Sequence, residues 1–157
     1  MNEFLQIKCF EETHRSLAYS QAEELFKSGG QAPFMEVGYY SEIANEPLHL
    51  YFHNRLIGVA TILFAEDSAE LYKLYIHPDA RGQGIGRFAA RASIDYIFDK
   101  YGVEKVYVSI LGNSAEFWWK VVQMYGERAI YTDPNCYFVK AGGDVKDYYP
   151  WLFNEAE

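Results

Sequence analysis

The segment Arg81-Gly82-Gln83-Gly84-Ile85-Gly86-Arg87 carries three glycines at one-residue spacing between two arginines. It follows an apolar, aromatic run, Leu71-Tyr72-Lys73-Leu74-Tyr75-Ile76, and precedes residues 86–101. In that later stretch Phe88, Ala89, Ala92, Tyr96 and Ile97 fall on one helical face. A glycine loop between a strand and a helix makes an anion site. The helix start offers unpaired N–H groups and the positive end of a dipole, and glycine lets a ligand approach the backbone. A P-loop requires Lys-Ser or Lys-Thr after its last glycine, and neither is present. The dinucleotide fingerprint requires G-x-G-x-x-G after the first strand of a βαβ unit and an acidic residue about 20 positions on. Here the spacing is G-x-G-x-G, and Asp95 and Asp99 fall on the helix.

The elements that must hold this loop are legible around it. Residues 4–10 alternate as a first strand. A helix runs from 14 to 28, with Thr13 as its cap, Leu17, Ala18, Ala22, Leu25 and Phe26 on one face, and Gly29-Gly30 at its end. Residues 31–46 read as a loop or a short second helix, closing at Pro47. Strands follow at 48–53, 56–65 and 70–77, with turns at Asn54-Arg55 and at 66–69. Gly102 ends the helix after the glycine loop. Residues 103–111 form a strand, 113–125 a helix, and 129–132 with 136–140 a closing hairpin. The order describes one mixed α/β (α+β) domain spanning residues 1–157, with a mostly antiparallel sheet flanked by helices.

The bulk numbers set limits on partners. A chain of 157 residues, half of them hydrophobic, has enough apolar surface for a core of its own. The net charge is −8 and the lysines and arginines are scattered, so the basic patches that nucleic-acid binding demands are not seen. That charge suits either ordinary solubility or a cationic small substrate. No segment reaches the ~20 apolar residues of a membrane helix, and no leader pattern opens the chain, so a cytoplasmic protein is expected. Cys9 and Cys136 sit in apolar strands without metal-ligand spacing and read as reduced core thiols; no metal is expected. His49, His53 and His77 are single histidines with no ligand pairing. The apolar tail Tyr148-Tyr149-Pro150-Trp151-Leu152-Phe153 must pack on this domain or on a partner, and so suggests a homodimer.

Arg81-x-x-Gly84-x-Gly86, preceded by Leu74-Tyr75-Ile76-His77-Pro78, resembles the [RQ]-x-x-G-x-[GA] signature of the GNAT superfamily of acetyl-CoA-dependent N-acetyltransferases. The order of elements matches that superfamily from residue 4 to about 140. The resemblance implies that backbone N–H groups of Gly82, Gln83, Gly84, Ile85, Gly86 and Arg87 hold the pyrophosphate of coenzyme A. Arg81 and Arg87 would add charge; either arginine also fits a solvated loop. The pantetheine arm would lie along Leu74, Tyr75 and Ile76, pairing with backbone as an added strand does. This requires strands 70–77 and 103–111 to splay apart. Asn113 would contact the pantetheine; followed by Glu116, it also fits a helix capping box.

Acetyl transfer needs a neutral amine, a stabilised oxyanion and a proton for the leaving thiolate. The resemblance places the oxyanion on the backbone N–H of Tyr75 or Ile76. It places the base at Glu70, which by strand alternation would share a face with Tyr72, Leu74 and Ile76; a solvated turn residue is the other reading. The expected tyrosine acid is absent: Trp119 or Lys120 occupies its position, depending on the count from Ala115 or Asn113. Tyr125 lies off that helical face, and one of Trp118 and Trp119 is expected in the core. Two functions fit. One is direct transfer from acetyl-CoA to a primary amine of a small molecule or peptide, in a ternary complex. The other is a non-catalytic acyl-CoA-binding module. The acceptor would be gripped by residues 14–46 and the C-terminal segment, where Glu36, Glu42 and Glu46 could meet a cation.

Overall fold

The computed structural model describes residues 5–10, 14–30, 44–82 and 84–153. Thr13, Gln83, Glu36 and Glu42 lie outside the described residues. Seven strands form one sheet: β1 (Leu5–Cys9), β2 (Asn45–Phe52), β3 (Arg55–Phe64), β4 (Ser68–Ile76), β5 (Lys105–Ser109), β6 (Ala129–Tyr131) and β7 (Asn135–Val139). Among the described residues four α-helices accompany them: α1 (Arg15–Ser28), α2 (Ile85–Tyr101), α3 (Ala115–Gln123) and α4 (Val145–Tyr148). The strand order is β1-β2-β3-β4-β5-β7-β6. Every pairing is antiparallel except β4–β5, which helix α2 connects as a crossover. The mixed, mostly antiparallel sheet expected from the sequence is the one observed.

Element ends follow local chemistry. Gly102 closes α2 in the left-handed region at φ 65°, with its N–H donating to Phe98 O. Pro47, expected to close a loop, lies inside β2. Phe10 N–H donates to Pro47 O, and the proline's missing N–H ends the β1–β2 ladder at that rung. The helix expected from Asn113 starts two residues later, capped by Ser114 with no side-chain cap bond. The capping box between Asn113 and Glu116 is therefore not formed. The preceding turn is made by Gly112 at φ 55°, and Ser114 Oγ donates to Leu111 O at 2.6 Å.

Two layers cover the sheet. On one face α2 and α3 bury Ile94, Ile97, Trp118 and Val121 against Leu48, Leu50, Ile62, Leu71, Val106 and Phe138. On the other, α1 sets Ala22, Leu25 and Phe26 on Val59 and Tyr75. The C-terminal segment covers the far end of that second face, where Tyr149 is buried against Val139 and Val145 and lies 4.7 Å from the Tyr137 ring. The apolar tail thus packs on its own domain, with Trp151 left 64% exposed.

The decisive irregularity is in β4. Val59 pairs with Tyr75 and Thr61 with Tyr72, so β4 uses one residue more than β3 across this interval. Lys73 takes the extra place at φ 53°. Such a bulge bends the strand and resets which side each residue faces. Ala69 and Leu71 join the α2 face before it, and Leu74 and Ile76 join the same face after it, while Tyr75 turns toward α1. The alternation expected through Glu70, Tyr72, Leu74 and Ile76 is broken. Glu70 and Tyr72 share the α1 face with Tyr75 instead.

His49 is fully buried on β2, its ring 4.5 Å from Phe10. Burial pushes its pKa down to about 4. A histidine held neutral when folded, but free to protonate when unfolded, adds stability at neutral pH. That stability is lost as pH falls from the ordinary value near 6.5 toward 4. Urea unfolding at pH 7 and pH 5 should show a loss of about 2 kcal/mol from this group, and His49→Leu should remove that share of the pH dependence.

Candidate active site

The β4–β5 ladder contains only Ser68–Lys105, Ala69–Val106 and Glu70–Tyr107. β4 continues to Ile76, while β5 beyond Tyr107 stays paired with β7 through Val108–Cys136 and Ser109–Asn135. The two parallel strands therefore part after Glu70. This is the splay expected between strands 70–77 and 103–111. The gap opens into a cleft of about 1010 Å³. Small-molecule sites run to roughly 300–1,000 Å³, so this one suits a large ligand. Leu74, Tyr75, Ile76, Arg81, Gly82, Gly84, Gly86, Arg87 and Asn113 all line it. Ile85, also expected here, turns its side chain into the core. Its contribution to an anion site is the backbone N–H alone.

At one end of the cleft sits the glycine loop. Gly82 and Gly84 adopt φ 81° and 79°, a region costly for any residue with a Cβ. Gly84 caps α2 with no side-chain bond to the helix. The first-turn N–H groups, which have no partner within a helix, are therefore presented to the cleft. Gly86 serves a different purpose, since a Cβ there would lie 3.3 Å from the Phe117 ring. Glycine at 84 makes the turn, and glycine at 86 lets α2 and α3 approach. Unpaired donors, a helix dipole and two nearby guanidiniums fit a pyrophosphate.

The arginines differ. Arg81 Nε donates to Ile76 O at 2.7 Å, and its guanidinium lies 5.4 Å from the Tyr75 ring centre. It braces the loop against the end of β4, with its remaining donors at the cleft. Arg87 is exposed, and its guanidinium would lie 3.9 Å from a Cβ on Gly84, folded back over the loop. His77 anchors the loop on the other side. Asp79 N–H donates to His77 Nδ1 at 3.1 Å, which leaves Nε2 to donate to Ser28 Oγ, also at 3.1 Å. The loop is thereby tied to the last turn of α1.

Glu70 stands at the fork, on the α1 face, and is 9% exposed. It is not the solvated turn residue that its acidic neighbours suggest. Burial raises its pKa above the usual carboxylate range, while hydrogen bonds from Ser109 and Tyr107 oppose that rise. Ser109 Oγ donates to Glu70 Oε2 at 3.2 Å. A carboxylate whose burial outweighs two hydrogen-bond donors takes up a proton more readily than a surface one.

Ser109 and Lys73 are site residues that sequence reasoning missed. Ser109 had one available signal: the alternation of Val106 and Val108 leaves Tyr107 and Ser109 together on the face of Glu70. Lys73 had none, because nothing in its side chain marks a positive φ. The two positions at which a tyrosine was sought separate cleanly. Lys120 lines the cleft, paired with Glu116 at 3.4 Å. Trp119 is half exposed and meets Tyr131 edge-on, while Trp118 is buried. Tyr125 is buried against Phe138 of β7, its hydroxyl 2.9 Å from Asp95 Oδ1 and 3.1 Å from Arg91 O on α2. Glu46 receives the Tyr101 hydroxyl at 2.7 Å, at the C-terminal end of α2, and so is not at this cleft. Among the described residues no cluster of metal-ligating side chains exists.

Gly84→Ala tests the cradle directly. The positive φ should cost about 1–2 kcal/mol of stability, and calorimetry should show coenzyme A binding weakened at least about tenfold as the turn shifts its N–H groups. Gly102→Ala, at a similar φ but at the other end of α2, should lose stability alone.

The sequence pattern defining the acetyltransferase (GNAT) family matches residues 9–120. No curated protein matches the chain significantly. Among solved structures, the Escherichia coli ribosomal-protein-S18-alanine N-acetyltransferase aligns with a TM-score of 0.58 at 18% identity, over 88% of this chain and 96% of that one. The Vibrio cholerae spermidine N-acetyltransferase in complex with CoA and spermine aligns with a TM-score of 0.58 at 14% identity, over 89% and 98%. The Campylobacter jejuni N-acetyltransferase PseH aligns with a TM-score of 0.55 at 15% identity, over 88% and 99%. At these identities the structures establish a shared fold. With the glycine loop, the splayed strands and a family pattern covering most of its length, the chain belongs to the GNAT acetyltransferase family.

Proposed function

We propose that the protein transfers an acetyl group from acetyl-CoA to a primary amine, by direct attack within a ternary complex. The observation that carries this reading is the fork itself. A buried carboxylate, Glu70, stands where β4 and β5 part, beside a cleft that ends in an anion cradle. The pyrophosphate would sit on the N–H groups of residues 82–87 with Arg81 and Arg87 alongside. The pantetheine arm would run along Leu74, Tyr75 and Ile76, past Asn113. The N–H of Tyr75 or Ile76 would meet the developing oxyanion. The acceptor would enter from the α1 face, onto which Glu70 opens, as an uncharged amine that has already lost its first proton to water. Glu70 would then take the proton that nitrogen sheds as the C–N bond forms. Neither cysteine lines the cleft: Cys136 is buried in β7, where burial pushes its thiol up to about 12, and Cys9 lies on β1. A covalent acyl-enzyme at either one has no support.

The acceptor side suits a cation better than an anion. The chain carries a net charge of −8, and the relative with spermine bound is a spermidine N-acetyltransferase. Polyamines, amino sugars and peptide α-amines therefore make up the first panel. Acetyl-CoA with each amine, read by release of free thiol, should show turnover on at least one. Tight coenzyme A binding without turnover on any amine would sink the catalytic reading and leave a binding module. With an acceptor in hand, kcat/KM should rise with pH through a group titrating above the ordinary carboxylate value, as expected for a base whose burial disfavours its charged form. Glu70→Gln should remove that limb and lower kcat/KM by roughly 10²–10⁴-fold.

A further inference from the structure

Acetyl transfer leaves one proton unaccounted for: the departing thiolate needs one, and the usual tyrosine position supplies no hydroxyl. Among the described residues, three hydroxyl side chains line the cleft: Tyr75, Ser109 and Ser114. Ser114 is engaged with Leu111 O at 2.6 Å. The Tyr75 ring packs edge-on against Phe26 at 4.9 Å, and a Cβ on Gly29 would collide with its hydroxyl, so that hydroxyl sits against the end of α1 rather than in the gap. Ser109 differs from both. It lies on β5 beyond the last β4–β5 pair, and its Oγ touches the carboxylate of the base at 3.2 Å. One hydroxyl therefore lines the coenzyme cleft and contacts Glu70 at the same time.

We propose that Ser109 is the catalytic group that returns a proton to the leaving thiolate, drawing it from Glu70 in a two-residue relay. The proposal rests on the N-acetyltransferase reading above. The amine nitrogen forms a bond to the thioester carbonyl carbon, and Glu70 takes the proton the nitrogen sheds. The C–S bond breaks with its electron pair on sulfur. Ser109 gives its hydroxyl proton to that sulfur and recovers one from the protonated Glu70. The net change moves one proton from amine to thiol and restores the carboxylate, so no further acid is needed. The hydroxyl rotor suits both stages. Before reaction it donates to the charged Glu70. Once Glu70 is protonated, the carboxylic acid donates to Ser109 Oγ, and the serine hydrogen is free to turn into the cleft. Tyr107 also hydrogen-bonds to Glu70, and its neighbour across β7 is Tyr137.

Ser109→Ala, Ser109→Thr, Glu70→Gln and the double variant Ser109→Ala/Glu70→Gln test the relay against wild type. Ser109→Ala should lower kcat by about 10²-fold, with KM for acetyl-CoA within about twofold and thermal melting unchanged. Ser109→Thr should recover most of the rate. The double variant should be no slower than the slower single variant, because groups that move one proton together fail together. In the free protein, with no acyl donor present, a carbon-13 titration should place the Glu70 carboxyl pKa higher in Ser109→Ala, since a donor to the charged form is lost. A kcat within about twofold of wild type in Ser109→Ala, or losses that multiply in the double variant, would overturn the relay while leaving acetyl transfer intact. Absence of turnover by wild type on every amine would instead remove the acetyltransferase reading, and the relay with it.

Discussion

Everything functional in this protein depends on three rungs of parallel pairing between β4 and β5, and on the pairing ending there. Ser68, Ala69 and Glu70 are bonded to Lys105, Val106 and Tyr107; beyond them the strands diverge. The divergence is built from both sides. The bulge at Lys73 bends β4, and β5 remains committed to β7 as far as Ser109. A sheet that stayed paired along its full length would satisfy more backbone groups, but it would close the cleft. Past the fork this part of β4 lines the cleft instead of pairing with β5.

The same fork puts the two ends of the chemistry in register. The glycine loop starts directly after β4, so the loop and the part of β4 that lines the cleft belong to one continuous segment. Arg81 reaches back to Ile76 O, and His77 ties the loop to Ser28, so strand, loop and α1 are braced as one unit. Glu70 lies on the opposite side of the sheet from α2. A donor threaded between the strands and an acceptor arriving from the α1 face would therefore meet at the fork itself, each excluded from the other's binding surface. Such positioning is a large part of what an acyl-transfer site contributes, because it turns an encounter between two substrates into a step within one complex.

The electrostatics at the fork are a balance. Burial raises the Glu70 pKa, and two hydrogen bonds from β5 resist the rise. A carboxylate with burial alone would tend to stay protonated, and one with strong donors alone would be too weak a base. The residues that set this balance, Tyr107 and Ser109, sit on a strand about forty positions away. Only the parallel crossover through α2 brings them beside Glu70.

Much was determined by the local sequence. The helix stops at Gly29 and Gly102, the meander before the loop and the one-residue glycine spacing follow from backbone preferences that neighbouring residues cannot easily override. The turn geometry of Gly82 and Gly84 belongs to the same class, because a positive φ and an uncapped helix start are properties of a few consecutive residues. The tertiary structure decided what depends on distant strands. A lysine at positive φ in β4 has no signature in its own side chain, yet it reversed the facing of Leu74, Tyr75 and Ile76 relative to Glu70. Asn113 and Glu116 had the right spacing for a capping box, but the turn at Gly112 moved the helix start past Asn113 and left Glu116 in the first turn. Trp119 and Lys120 were equivalent on paper and were separated by packing alone, which left Lys120 in the cleft and Trp119 at the surface. Periodicity and turn chemistry are written residue by residue. Which side chain stands beside Glu70 is set by the register between β4 and β5, and no short stretch of sequence contains it.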